Sequence, residues 1–121
     1  MAGAREACEW YHRVFGDDFY LELQRHEVKD PNLIANREAF PLQQKANRVL
    51  LQFAEEYGIK YVCTNDCHFE DKETAEAHDH LLCLSTQEDL NDPKRMRYSK
   101  QEWFKTQAEM NEVFDDLPQA L

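Results

Sequence analysis

Two short apolar runs on either side of one amphipathic stretch narrow the folds open to this chain. Phe19-Tyr-Leu-Glu-Leu-Gln24 alternates, with Phe19, Leu21 and Leu23 on one face and Tyr20, Glu22 and Gln24 on the other. Ile59 to Cys63 is a second short run without alternation, as in a strand covered on both faces. Between them Leu42, Ala46, Val49, Leu50, Phe53 and Ala54 recur at helical steps. Pro41 suits the first turn of that helix and Gly58 suits its end. Strand, helix, strand predicts an α/β chain with a parallel pair and a right-handed crossover. Two strands do not make a finished parallel sheet, which needs both faces covered and more members. The expectation is a sheet completed by dimerisation or by the rest of a longer protein.

The other elements follow from the same periodicities. Ala4, Ala7, Cys8, Tyr11 and Val14/Phe15 predict a helix over 2–15, closed by Gly16, with a turn at Asp17-Asp18. Residues 27–41, polar and with Pro31 and Pro41, read as a loop with room for one short turn. Ala75, His78, Leu81, Leu82 and Leu84 predict a helix over 73–85. Residues 86–98 form a polar loop with Pro93 and a basic cluster, Lys94, Arg95 and Arg97. Ser99 to Glu102 and Thr106 to Glu109 both fit the capping-box spacing. They predict short helices from Ser99 to Phe104 and from Ala108 to Phe114. Asp115-Asp-Leu-Pro118 ends the second, and Leu121 falls where another helix begins, a second pointer to a longer parent. Trp10, Trp103, Phe104 and Phe114 sit at helical spacings and are expected in the core.

Composition removes several function classes. The 121 residues carry 14 Lys and Arg against 24 Asp and Glu, a net charge of −10. That opposes a surface that wraps nucleic acid unaided. Three glycines leave no phosphate-binding glycine loop, and no G-x-S-x-G or H-E-x-x-H motif is present. No apolar run approaches the roughly 18 residues of a membrane span. MAGAREACEWYHR lacks the apolar core of a signal peptide. A cytoplasmic location is the expectation, with Cys8, Cys63, Cys67 and Cys83 expected as free, half-buried structural thiols; none is spaced C-x-x-C.

Chemistry concentrates in Thr64-Asn65-Asp66-Cys67-His68, directly after the second strand. Reactive groups in α/β folds collect at the carboxyl ends of strands. An extended D-x-H puts Asp66 and His68 on one side, an oxygen and a nitrogen able to share zinc, manganese or iron. Two ligands are fewer than the three or four of a firm site. The same residues also suit a turn cap and an ordinary polar loop. His26 holds the equivalent place after the first strand, so both loops open on one end if the strands are parallel. Glu22 is a further candidate: a carboxylate inside a barrel needs a metal or a partner such as Arg25. Surface pairing is the alternative for both. His78 and His80, two apart on a helix, point about 200° from each other and do not grip one metal together. The Lys94/Arg95/Arg97 loop suits either a phosphate or the surplus acid.

Several segments resemble the bacterial replicative DNA polymerase III alpha family. They are Phe15 through His26, Thr64 through Phe69, Ala75 through Cys83, Arg97-Tyr98-Ser99, Phe104-Lys105-Thr106, and Glu109-Met110 with Phe114 through Leu121. They occur in family order and span nearly the whole chain. The resemblance implies the second half of an N-terminal PHP (polymerase and histidinol phosphatase) domain, a distorted (β/α)7 barrel of parallel strands. Residues 1–85 would be a partial barrel, and 86–121 the short helices at its junction with the polymerase body. Asp66 and His68 match the family's closing N-D-x-H metal motif. Its opening H-x-H motif and other ligands would lie upstream of Met1, and His26 matches no ligand position.

The resemblance further implies a parent DNA-directed DNA polymerase, a nucleotidyltransferase of DNA replication, whose catalytic aspartates lie outside this chain. It implies a divalent metal (Zn, Mn or Mg) in the PHP site, with 3′–5′ exonuclease activity in some members. DNA, deoxynucleoside triphosphates and other replisome subunits would be its partners, among them a separate proofreading subunit. No membrane is implied. Three readings follow: a catalytic-domain segment inactive alone, a non-catalytic docking module of the replisome, and a small metal-dependent phosphoesterase completed by dimerisation. In each, the open sheet edge invites self-association.

Overall fold

A computed structural model describes residues 2–120; Met1 and Leu121 lie outside the described residues. Helix α1, Ala2–Phe15, ends where Gly16 adopts φ +53. That left-handed turn is open to glycine at no steric cost. A 3-10 turn over Gly16–Asp18 leads into β1, Tyr20–Gln24. Helix α2 spans Phe40–Tyr57 with Pro41 in its first turn, and Gly58 at φ +67 closes it. Strand β2, Lys60–Thr64, follows at once. It pairs with β1 in parallel, from Tyr20 opposite Lys60 to Gln24 opposite Thr64. Among the described residues these are the two strands of one sheet. The mixed helix-and-strand fold and the parallel pairing agree with the sequence.

The side chains explain the pairing. Leu21 and Leu23 are buried, whereas Tyr20 and Glu22 are exposed. Leu21 meets Cys8 of α1, Phe53 and Ala54 of α2, and Ile59 in the main core, with Phe19, Val49, Leu50, Tyr57 and Tyr61 packed around it. Ile59 itself lies outside β2, because its N–H is given to the Ala54 carbonyl at 3.0 Å as the helix unwinds. Arg25, just past β1, ties the strand ends to the last part of the chain. Its guanidinium lies 4.9 Å over the Phe114 ring and grips both carboxylate oxygens of Asp116 at 2.7 and 3.1 Å.

Helix α3, Ala75–Thr86, is entered through a 3-10 turn over Lys72–Thr74 that Asp71 and Thr74 cap reciprocally. Helix α4, Gln107–Val113, is capped the same way by Thr106 and Glu109. A final 3-10 turn covers Pro118–Ala120.

The loop over 27–41 holds one short turn, a π-helical one over Ala35–Ala39 that runs into α2. It is held by Asn36, whose side-chain amide donates to the Val28 and Asp30 carbonyls at 2.6 Å each. Three other expectations are corrected. No helix forms from Ser99 to Phe104. The Glu102 carboxylate accepts from the Ser99 N–H and hydroxyl, but the Ser99 oxygen accepts from Gln101 N–H rather than from Glu102 N–H, Lys100 turns to φ +65 and Trp103 pairs as a bridge with Phe69, so the chain stays extended. Of the four aromatics expected in the core, Phe114 is buried, Trp103 is half-buried, and Trp10 and Phe104 are exposed. Cys67 is exposed rather than half-buried, because it follows the turn that carries the chain off the end of β2, and Cys8 is fully buried.

Candidate functional site

The carboxyl ends of β1 and β2 lie side by side, and one residue fastens each to its surroundings. Asn65 is buried directly after β2. Its side-chain amide donates to the carbonyls of Gln101 and Trp103 at 2.8 and 2.6 Å. Its Oδ1 accepts from the Lys105 ammonium at 3.2 Å. His26, after β1, is equally buried. The Gln43 side-chain oxygen accepts from the His26 backbone N–H at 2.8 Å, which fixes the amide so that its NH2 donates to His26 Nδ1 at 2.9 Å. That leaves Nε2 as the protonated nitrogen, 3.1 Å from the Asn65 carbonyl that accepts it. The two strand-end loops therefore open together, joined through an imidazole whose nitrogens are both engaged by protein groups.

Residues 99–105 form a strap across these loops. The backbone N–H groups of His68 and Phe69 donate to the Glu102 carbonyl at 2.7 and 3.4 Å, and Phe104 N–H donates to the Phe69 carbonyl at 3.1 Å. The Glu102 carboxylate is buried beneath the strap. It accepts from Ser99 N–H, the Ser99 hydroxyl and Gln101 N–H, and lies 3.5 Å from His26 Nδ1. Lys105 sits 4.3 Å over the Trp103 ring, and desolvation pulls its ammonium down to a pKa of about 8. Burial also raises the Cys8 thiol and pushes Cys63 up to about 11, which keeps both protonated and unreactive at neutral pH.

The Asp66–His68 turn stands on this base. Asp66 adopts φ +49, so the pair is not brought together by an extended strand as the spacing suggested. Aspartate tolerates the left-handed region better than most residues, and the turn folds His68 back over it. Asp66 Oδ1 and His68 Nε2 lie 3.4 Å apart, with side chains 47% and 35% exposed. The His68 ring rests 4.4 Å from Tyr98 and 6.0 Å from His78. His80 turns away and pairs with its own helix at the Glu76 carbonyl.

Glu22 lies on the open face of the sheet, where its carboxylate accepts from the Thr64 hydroxyl at 2.6 Å. Arg25 is committed to Asp116 instead. Among the described residues, no group of three or more His, Cys, Asp or Glu is placed to hold a metal ion. Asp66 and His68 face one another with one oxygen and one nitrogen, two donors of types that a divalent cation accepts. Gln43, Asn65, Tyr98, Glu102 and Lys105 were not legible as a site, because the partners of Asn65 stand 36 to 40 residues along the chain.

No family model matches the chain. Comparison with curated proteins is informative. The chain is 38% identical over 119 residues to DNA polymerase III subunit alpha of Campylobacter jejuni, which covers 98% of the chain and 9% of that relative. It is 36% identical over the same length to that of Borreliella burgdorferi, and 39% identical over 108 residues to that of Thermus aquaticus. The chain is homologous to one segment of the DNA polymerase III alpha subunit. It spans about 9% of the length of the first two relatives. The matched 119 residues are so nearly the whole chain that they take in both the Asp66–His68 turn and most or all of the strap. No helix among the described residues is long and apolar enough to cross a membrane.

Proposed function

We propose that this chain is a segment of a cytoplasmic replicative DNA polymerase III alpha subunit, from the later part of its PHP domain. Residues 1–85 are read as part of a (β/α)7 barrel and 86–121 as its junction with the polymerase body. The carrying observation is the alignment of 98% of the chain with 9% of a polymerase subunit. Parallel β1 and β2 with adjacent carboxyl ends support the barrel reading. So does an apolar trough of about 620 Å³ beside β1, walled by α1 and α2. The preceding barrel strand and its helix would fill that trough. In the chain by itself, the bare edge is free to pair with a second copy.

In this reading Asp66 supplies an anionic oxygen and His68 a nitrogen to a divalent zinc, manganese or magnesium, and the remaining ligands come from outside the chain. The metal would supply Lewis-acid charge against a phosphodiester, as a 3′–5′ exonuclease requires. The strap fixes the His68 backbone through the Glu102 carbonyl, and the Tyr98 ring lies 4.4 Å from the His68 ring. DNA, deoxynucleoside triphosphates and other replisome subunits are the partners of the parent; this segment alone is inactive. A second reading, a docking surface without catalysis, is favoured by α3, where Leu84 is 76% exposed.

The test is made in the full-length polymerase. Asp66→Ala and His68→Ala are expected to lower the metal content of the PHP domain, measured by elemental analysis, while primer extension is retained. Unchanged metal in both variants would remove these residues as ligands. Metal lost with no change in exonuclease activity would favour docking.

A further inference from the structure

The loop after α3 and the turn before α2 meet to form a second concavity that the proposed function does not use. It has a volume of about 300 Å³ and brings Arg37 together with Arg95, Arg97 and Lys100, some sixty residues later in the chain. Asp79 is the one carboxylate residue in its lining. Arg95 is spent on it: the guanidinium grips both Asp79 oxygens at 2.8 Å and also donates to the Leu90 and Met96 carbonyls. Lys100 is paired with Glu76 at 2.6 Å.

The other two cations are not neutralised. Among the described residues, neither Arg37 nor Arg97 has a carboxylate within ion-pair distance, and Arg97 donates solely to the backbone carbonyl of Asp92. On a chain of net charge −10, two free guanidinium groups in one concavity stand out. A guanidinium presents N–H donors in a planar fork that matches the oxygens of phosphate. The buried Asp79–Arg95 ion pair and Asn32 also line it.

We propose that this pocket binds a phosphate oxyanion between Arg37 and Arg97. The phosphate belongs either to a nucleic-acid backbone or to a free nucleotide. The inference needs no metal and does not depend on the Asp66–His68 reading. Tyr98 connects the two places, since it lines the pocket and also lies 4.4 Å from the His68 ring.

The experiment follows backbone and arginine Nε resonances of the 121-residue chain during titration with three probes at fixed ionic strength. The probes are inorganic phosphate, a deoxynucleoside triphosphate and a short single-stranded oligonucleotide. Saturable shifts at Arg37, Arg97 and Tyr98 are expected. The double variant Arg37→Gln/Arg97→Gln should bind each probe at least about tenfold more weakly, the loss of one charge-assisted contact or more. Both side chains are exposed, so the variant should keep its melting midpoint, which a thermal scan verifies. Tightest binding by the oligonucleotide, weakening with salt, identifies backbone phosphate as the source; tightest binding by the triphosphate identifies a free nucleotide. No saturable shift with any probe, or equal affinity in the double variant, overturns the proposal.

Discussion

Lys105 holds its charge where water is scarce, and this gives the chain a readable pH dependence. Its ammonium is drawn down to about 8 by desolvation, against an ordinary value of 10.5. Between these values the unfolded chain binds more protons than the folded one, so stability rises with pH across that window. Cys63 acts in the opposite sense. Burial lifts its thiol from 9.0 to about 11, so above 9.0 the folded chain holds the extra proton and stability falls as pH rises. From pH 8 to 9 the lysine contribution is therefore the cleaner one. A carbon-detected titration of Lys105 Cε should show a midpoint near 8; a midpoint at the ordinary lysine value would mean that the strap leaves it hydrated. His26 makes a second test at this scale. His26→Ala strips a buried carbonyl of Asn65 and the Gln43 amide of their partner, at roughly 1–3 kcal/mol for each group left unpaired. Urea unfolding should record a loss of about 2 to 6 kcal/mol on that basis. A loss under about 1 kcal/mol would show that the ring does not fasten the strand ends.

At the level of elements, the same four-residue signal had two outcomes. Thr106 and Glu109 cap each other and a helix follows. Ser99 and Glu102 form only the half in which the carboxylate accepts from Ser99, and no helix follows, because the Phe69–Trp103 bridge and the bonds from His68, Phe69 and Phe104 hold the chain extended. A capping box states how a turn is satisfied locally; the pairing of the next residues with a distant loop decides whether the turn propagates. That difference marks what was legible in the sequence. Parallel β1 and β2, the α2 stripe, and the glycines at 16 and 58 were readable, because period, turn chemistry and chain order are local. The strap, the Gln43–His26–Asn65 relay and the Arg37–Arg97 concavity depend on partners far along the chain and left no periodic trace. Asp66 and His68 could be chosen by their place after a strand, but the left-handed turn that unites them could not. Two substitutions test the local part. Gly58→Ala, forced to φ +67, should cost about 1 kcal/mol, and Gly58→Asn less. Thr106→Ala should also cost about 1 kcal/mol through the lost cap. Denaturant midpoints with unchanged slopes would verify both.

For the molecule as a whole, two kinds of surface should respond to salt in opposite directions. The trough beside β1 is apolar and its wall is bare: Leu42 is 69% exposed on α2. A second copy meeting it carries the same charge of −10, so electrostatics opposes the encounter while apolar burial favours it. Screening shortens the reach of that repulsion from about 30 Å at 0.01 M salt to about 8 Å at 0.15 M. Self-association, followed by sedimentation velocity, should therefore strengthen as salt is added. Leu42→Lys should weaken it at every salt concentration, because it puts a hydrated charge into the apolar contact while sparing buried Leu21, Phe53 and Ala54. Phosphate binding at Arg37 and Arg97 should weaken over the same range, since salt screens the attraction that drives it. If the chain stays monomeric at high salt, the edge of β1 is not the reactive surface that an unfinished sheet implies. If association and phosphate binding both fade with salt, charge attraction governs both faces, and the trough is not closed by apolar contact.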